Sequence, residues 1–550
     1  MVSLLKAITI LYFCVAVAAS LIWLVDRSRN MMPHVIAWGL LVPVIFLTRS
    51  YPLIMGILVL LKLFYLKNDL RRNIAMFLSL MVVMPYSFVF QVVPGINLFE
   101  VSIVQMMSLV FFLPLVPRII TDEERGLHHF DVLAMAVIGI LIVGCFRETS
   151  VYEFTWFQAF RDMLEVLLVV AVPYFVISRG IHDFQAMDDA LAGLLMGGLT
   201  MAIFSVFEEL MMWRPYVEIG TMIGTMSPLE SMYEMRGGFL RISATLTGPI
   251  TYSFYLTIIM GALMYFLRSH GVRAVYRWGG AVFLLGVIFM TGSRAGLLGG
   301  LLFMALYAVH SMHPVARRLL IIPLILVAVA GTLFSEAKVK PHHGGDDLNK
   351  VDQYGTFEYR KKLFFTALQV IPDHLLFGNR KFREDPRMEK MRQGQGIIDM
   401  VNGFVHLTIE YGLIALIALL LLLFRDYRVL TENITYLDAD GDDLDPWANK
   451  PDESGRLAAS NGDFTDEDDE ARPLDISPAQ VEKYRAWFAQ AFAAMLVSIC
   501  MQFAFTSYAS TIVPLFWIML ALIRAYQLMI LEEEERAEAE AEPGWQAVSM

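Results

Sequence analysis

The chain has little cysteine: Cys14, Cys145 and Cys500 are the three in 550 residues. Each lies inside an apolar run, with no Cys-x-x-Cys pair and no histidine at ligand spacing. Neither a disulfide framework nor a zinc site is expected, and buried free thiols are the default. Charge is also scarce. Charged residues make up 18% of the chain, against roughly 25% in a soluble domain. No P-loop, dinucleotide fingerprint or repeat period is visible. The net charge of -11 gives no basic footprint for nucleic acid.

What the chain has is apolar length. Hydrophobic residues are 57% of it, and mean hydropathy is +0.56. Apolar runs of about twenty residues, enough to cross about 30 Å of hydrocarbon, recur from end to end. The expected fold is all-α, a polytopic transmembrane helical bundle of about 12–15 spans with a long, partly helical periplasmic loop. Candidate spans are 7–25, 34–48, 51–66, 73–92, 99–117, 130–146, 163–178, 190–212, 247–267, 278–291, 295–311, 318–335, 404–424, 488–506 and 511–529. The opening "MVSLLKAITILYFCVAVAAS" has a signal-peptide look, but the run continues through "LIWLV", which favours an uncleaved first helix.

The short loops "LKNDLRRN", "LRSHGVRAVYRW" and "HPVARR" are basic. Placing them in the cytoplasm puts 213–246, 291–294 and 336–403 on the periplasmic side. The expected organisation is an N-terminal bundle over 1–335 with a periplasmic loop at 213–246. A long periplasmic loop over 336–403 and a transmembrane helix at 404–424 follow. Next come an acidic cytoplasmic loop at 425–487, C-terminal helices over 488–530 and an acidic cytoplasmic tail at 531–550. The acidic runs "DADGDDLD", "DFTDEDDEARP" and "LEEEERAEAEAE" read as solvated and disordered, with a docking site for a partner as the alternative.

Unusual polar residues gather in the periplasmic-side loops. "TGSRAGLLGG" sets Arg294 at the rim of the apolar region. An arginine there either snorkels to the headgroups or binds an anion, since guanidinium holds phosphate bidentately. With Arg241 it would make a fork-shaped anion site. Gly292, Gly296 and Gly300 at spacing four read as helix packing. Glu208 and Glu209 end a span, and carboxylates inside a membrane are functional candidates by default; no role follows for them. "NRKFREDPRMEKMRQ" reads as a solvated amphipathic helix or as a grip on an acidic glycan or lipid phosphates.

"RISATLTGPITYSF", "TGSRAGLLGG", "EYRKKLFFTALQVIPDHLLFG" and "VNGFVHLTIEYGLIAL" occur in that order between about residues 235 and 425. In this order they resemble the motifs of the O-antigen ligase and O-antigen/exopolysaccharide polymerase family of bacterial inner membranes. The resemblance implies a metal-independent, inverting glycosyltransferase with no cofactor. It would move a glycan from undecaprenyl diphosphate to an acceptor at the periplasmic face. Arg241, Arg294 and Arg360 would hold the diphosphate. Ligases of the family show a His-Asn pair where this chain reads Val401-Asn402. An aspartate just before the Asn is closer to the exopolysaccharide polymerases. Asp399 is therefore the expected activator of the acceptor hydroxyl and Asn402 its positioning partner. The alternative for Asp399 is a helix N-cap. His406 is a further candidate, with a plain polar helix position as its alternative, and Glu208 is another.

The expected function is polymerisation of lipid-linked repeat units for exopolysaccharide, capsule or O-antigen. A ligase acting on lipid A core or protein is the alternative. A transporter or flippase of polysaccharide or lipid-linked oligosaccharide is the reading from another class. Expected partners are the undecaprenyl-diphosphate-linked glycan, membrane lipids and a chain-length regulator or copolymerase, with no nucleic acid.

Overall fold

A computed structural model describes residues 2–48, 50–85, 88, 90–93, 96–122, 131–148, 155–223, 235–236, 238–246, 248–310, 312, 319–320, 356–392, 398, 400, 402–434, 478–506 and 512–541. The expected span 318–335 and the acidic stretch 435–477 fall outside or almost wholly outside these residues. The fold is a polytopic bundle of α-helices. Six helices are long and apolar enough to cross a membrane, and five shorter apolar helices accompany them among the described residues. The long ones include α1 (Val2–Val25), α10 (Phe184–Met211), α12 (Pro249–Ser269), α19 (Pro478–Phe503) and α20 (Val513–Ala541).

The first shorter helices run as α2 (Met32–Pro43), α3 (Tyr51–Leu61) and α4 (Leu70–Leu80), the first two continuing into five-residue π-turns. Pro43 has no N–H to give the Gly39 carbonyl. Tyr12 of α1 donates its hydroxyl to that carbonyl at 2.8 Å instead, as lipid-facing backbone requires. Lys62, buried, donates to Asn73 Oδ1 at 2.9 Å and to the Phe111 carbonyl at 3.2 Å.

Two short antiparallel hairpins interrupt the all-helical expectation. In the first, β1 (Phe90–Val93) pairs with β2 (Ile96–Val101). The span expected at 73–92 therefore stops as helix at Leu80. The one expected at 99–117 begins only at Ile103, as α5 (Ile103–Met107), and after a π-turn and a short 3-10 turn ends as α6 (Val116–Ile120). Next come α7 (Val132–Cys145), α8 (Trp156–Val166) and α9 (Val172–Gly180). The second hairpin, β3 (Met235–Arg236) with β4 (Phe239–Leu240), lies between α11 (Pro215–Ile223) and α12.

The centre is α10, apolar all round and buried along most of its length, as a helix enclosed by others must be. Its glycines set how close α4 comes. A Cβ on Gly193 would lie 2.1 Å from the Ala75 carbonyl oxygen, and one on Gly197 2.7 Å from that of Ser79. Small residues four apart let two backbones meet, the usual adhesive where lipid removes the hydrophobic drive.

After α12 come α13 (Ala274–Met290) and α14 (Arg294–His310). The long loop then carries α15 (Thr356–Val370) and the one-turn α16 (Pro386–Glu389). The span expected at 404–424 is two helices, α17 (Gly403–Tyr411) and α18 (Leu413–Glu432), parted at Gly412. Arg425 of α18 binds Asp131, the N-cap of α7, with both guanidinium nitrogens at 2.6 and 2.8 Å. Of the acidic tail, the stretch 531–541 continues α20 as helix. All three cysteines are free.

Candidate functional site

Arg241 follows β4 on a turn that the backbone alone does not favour. Ala244 has φ +49, a conformation that costs a non-glycine residue energy and persists only when its surroundings impose it. Three groups impose it. Glu208 Oε2 accepts the Ala244 N–H at 3.0 Å. Arg214 donates to the Ser243 hydroxyl. Thr245 Oγ1 donates to the Val82 carbonyl at 2.8 Å. Glu208, singled out in the sequence without a role, thus holds the turn. Arg214 was missed; its signal was a charged residue three positions past the end of an apolar helix.

From that turn Arg241 Nε donates to the Thr291 carbonyl at 3.3 Å. Thr291 belongs to the loop bearing Arg294, so the structure brings Arg241 onto the Arg294 turn. This turn is tight: Gly292 sits at φ +62, and Ser293 Oγ accepts the Gly296 N–H at 3.1 Å as the cap of α14. Arg294, half-buried, is the first residue of α14. A cation there opposes the helix dipole. The same dipole and the first-turn N–H groups favour an anion.

The glycines of "TGSRAGLLGG" do pack. A Cβ on Gly296 would lie 2.3 Å from Ser253 of α12, and one on Gly299 2.2 Å from Gln502 of α19. Gln502 in turn donates to Thr257 of α12 at 2.8 Å. The next residue of α19, Phe503, closes on Gly403, where a Cβ would lie 2.6 Å away. Gly403 opens α17, and Asn402 caps that helix by accepting the Val405 N–H at 3.0 Å. The C-terminal end of α19 therefore ties the start of α14, with Arg294, to the start of α17, with Asn402. The N-cap of α17 is Asn402. Asp399 itself lies outside the described residues, as does Val401.

His406 is buried one turn further along α17, its Nε2 3.1 Å from Glu410 Oε2. Glu410 also meets Arg380 Nε at 3.3 Å. Arg380 donates to the Gly144 carbonyl at 2.7 Å and lies 3.8 Å from Asp162. His406 is thus one member of a charge cluster joining the long loop to α7, α8 and α17. Neither Arg380 nor Glu410 was singled out, because their spacing of thirty residues carries no local pattern.

Arg360 sits on α15, half-buried, rather than on the α12–α14 turns. On α15, Tyr359, Leu363, Ala367 and Val370 form the buried stripe. They share a small core with Phe382, Met388, Val405 and Ile409. The loop thus has its own apolar centre seated on α17. Its outer side has a cavity of about 480 Å³ lined by Lys361, Lys362, Phe365, Gln369, Arg387 and Lys390. There the Arg387 guanidinium, hydrogen-bonded by Asp385 and Asp373, is held above its ordinary pKa range. Asp385 is held below its own by the same partner.

The opposite end of the bundle has a polar cavity of about 600 Å³ that the sequence did not reveal. Asp26, Arg29, Arg71, Asp189 and His270 meet there, with Arg71 Nε 2.7 Å from Asp189 and His270 Nε2 3.5 Å from Asp26. Burial disfavours both charged forms, yet their hydrogen bond outweighs it. Asp26 is held low and His270 is raised. Among the described residues no cluster of three or more His, Cys, Asp or Glu could hold a metal ion.

In this multi-pass helical fold Arg241 is hydrogen-bonded to the turn that carries Arg294, an arrangement that suits an anion. Residues 279–420 match the family model described as O-Antigen ligase. The match spans α14, the long loop and α17, and it supports an O-antigen ligase-like family for the chain. That family acts on lipid-linked glycans, which points to glycosyl transfer in general terms. No curated protein matches the chain.

Proposed function

We propose that the chain polymerises undecaprenyl-diphosphate-linked repeat units of an exopolysaccharide, capsule or O-antigen, at the periplasmic face of a bacterial inner membrane. The observation that carries the reading is the hydrogen bond from Arg241 to Thr291, which brings the Arg241 guanidinium to the turn that carries Arg294 at the N-terminus of α14. A diphosphate leaving group gains charge as the glycosidic C–O bond breaks. Fixed cations aimed at it lower that barrier without a metal or other cofactor.

In the proposed step the acceptor hydroxyl oxygen attacks the anomeric carbon from the face opposite the diphosphate. The bond to the diphosphate oxygen breaks, and undecaprenyl diphosphate leaves with the electron pair. The acceptor proton passes to Asp399, and Asn402, capped onto α17, orients the hydroxyl. Arg360 joins from α15 as a third phosphate contact. The cationic cavity around Phe365 offers the growing glycan a ring to lie against.

The test uses a strain lacking the gene, complemented with wild type, Arg241→Ala, Arg294→Ala or Asp399→Ala at equal membrane levels. Loss of polymer with accumulation of single lipid-linked units, in the deletion and all three variants, supports the polymerase. Long lipid-linked glycan in their place makes the chain a ligase to lipid A core or protein. Wild-type behaviour of both arginine variants overturns the diphosphate site.

A further inference from the structure

We infer that the bundle holds a phospholipid with an anionic headgroup in a lateral groove, at the end opposite Arg241 and Arg294. A cavity of about 890 Å³ opens between α1 and α13, backed by α10 and α12. Leu21 and Leu24 of α1, Leu199 of α10, Phe266 of α12 and Phe283 of α13 line it, and Arg273 closes one end.

The groove is as long as a stretch of acyl chain. On α10 it uses Leu195, Leu199 and Ile203, one stripe at spacing four. Eight residues of helix rise about 12 Å. Leu21, Leu24 and Phe283 are exposed in the bundle, so the groove opens sideways towards lipid. A tail can enter without crossing protein.

The charge of the mouth identifies the head. Arg273 is exposed and sits just before α13. Tyr276, 66% exposed, follows one turn later, the amphipathic ring expected at headgroup depth. Arg27, two residues past the groove residue Val25, lies against the Trp23 ring at 5.8 Å. Asp26, the nearby acid, is engaged by Arg29 at 3.1 Å and by His270. The mouth therefore presents the Arg273 cation, which favours a phosphate carrying net negative charge over a zwitterion.

Position excludes the lipid-linked donor as the occupant. His270, at this mouth, lies 3.9 Å from Asp188 near the start of α10. Glu208, at the other end of α10, holds the Arg241 turn. The head bound at Arg273 thus belongs to the leaflet opposite the proposed diphosphate site. This inference stands apart from the polymerase reading.

The experiment reconstitutes the full chain in nanodiscs of equal phosphatidylglycerol and phosphatidylcholine. Retained lipid is then read by native mass spectrometry. Wild type is expected to retain phosphatidylglycerol about fivefold over phosphatidylcholine, the factor one arginine supplies near an anionic headgroup. Arg273→Gln should bring that ratio near one. Leu21→Trp, or Leu24→Trp if the first fails to fold, should abolish retention of both lipids. Leu421→Trp, on an exposed part of α18, should match wild type. Equal retention by wild type, an unchanged ratio in Arg273→Gln, or retention surviving both groove-filling variants overturns the site. Displacement of phosphatidylglycerol by undecaprenyl phosphate makes the occupant the polyprenyl lipid and equally overturns it.

Discussion

Gly378 and Gly412 meet backbone to backbone: a Cβ on Gly378 would lie 2.5 Å from the Gly412 nitrogen. Both have positive φ, +65 and +89. Around them Arg147 donates to the Gly378 carbonyl at 2.6 Å, and the Leu413 N–H reaches the Leu375 carbonyl at 2.8 Å. This contact locks the long loop onto the break between α17 and α18. Gly412→Ala should cost at least about 1–3 kcal/mol from backbone strain, with the clash against the Leu376 carbonyl in addition. Thermal unfolding of the purified chain should show a lower midpoint, and polymer should fall with it. An unchanged midpoint would mean the loop is not seated this way.

Glu208 acts through Ala244. Glu208→Gln keeps an oxygen for the Ala244 N–H, whereas Glu208→Ala leaves that buried donor without its acceptor, a cost of about 1–3 kcal/mol. Polymer on a sizing gel, at matched membrane levels, should be near wild type for the glutamine and strongly reduced for the alanine. Equal loss in both would assign Glu208 a charge-dependent role.

Arg241 and Arg294 should not tolerate lysine. Lysine presents a point charge where a diphosphate wants a planar fork. Arg294→Lys and Arg241→Lys should each lower the transfer rate in membranes supplied with lipid-linked units. The alanine variants should lose about 10²–10³-fold, the usual cost of one preorganised donor. Full activity in both lysine variants would reduce the arginines to bulk charge.

The Asp26–His270 pair predicts a pH window. His270 is raised in the fold, so its stabilisation is full below the ordinary imidazole value of about 6.5 and is lost as pH rises through the raised value. Asp26 is lowered, so its contribution is present above about pH 4 and is lost only as pH falls through its depressed value. The midpoint difference between wild type and His270→Gln should therefore be largest between about pH 4 and 6.5. It should shrink towards alkaline pH. A difference that grows with pH would show His270 to be neutral in the fold.

Much of the bundle was legible because hydropathy is a local property. The apolar runs at 7–25, 190–212 and 247–267 correspond to α1, α10 and α12, although α1 and α10 begin five and six residues earlier than expected. Helix breaks were less legible. The turn from apolar helix to strand after Leu80 and the split at Gly412 depend on partners distant in the chain. Arg241 and Arg294 stood out because arginine is rare at an apolar rim. Arg214, Arg380 and Glu410 look like ordinary loop or helix-end charges until their partners are known.

The sequence by itself determined that this is a polytopic helical protein, and its motifs, in their order, carried the resemblance to the ligase and polymerase family. Length and polarity of each segment suffice for that, since a bilayer accepts only backbone that satisfies its own hydrogen bonds. Only the tertiary structure decided which charges meet. It set Arg241 on the Arg294 turn, brought Arg380 to Glu410, and opened a groove between α1 and α13. Each of these joins residues far apart in the chain. Such contacts depend on how close the backbones come, and glycines such as Gly193, Gly299 and Gly403 set that distance where helices cross.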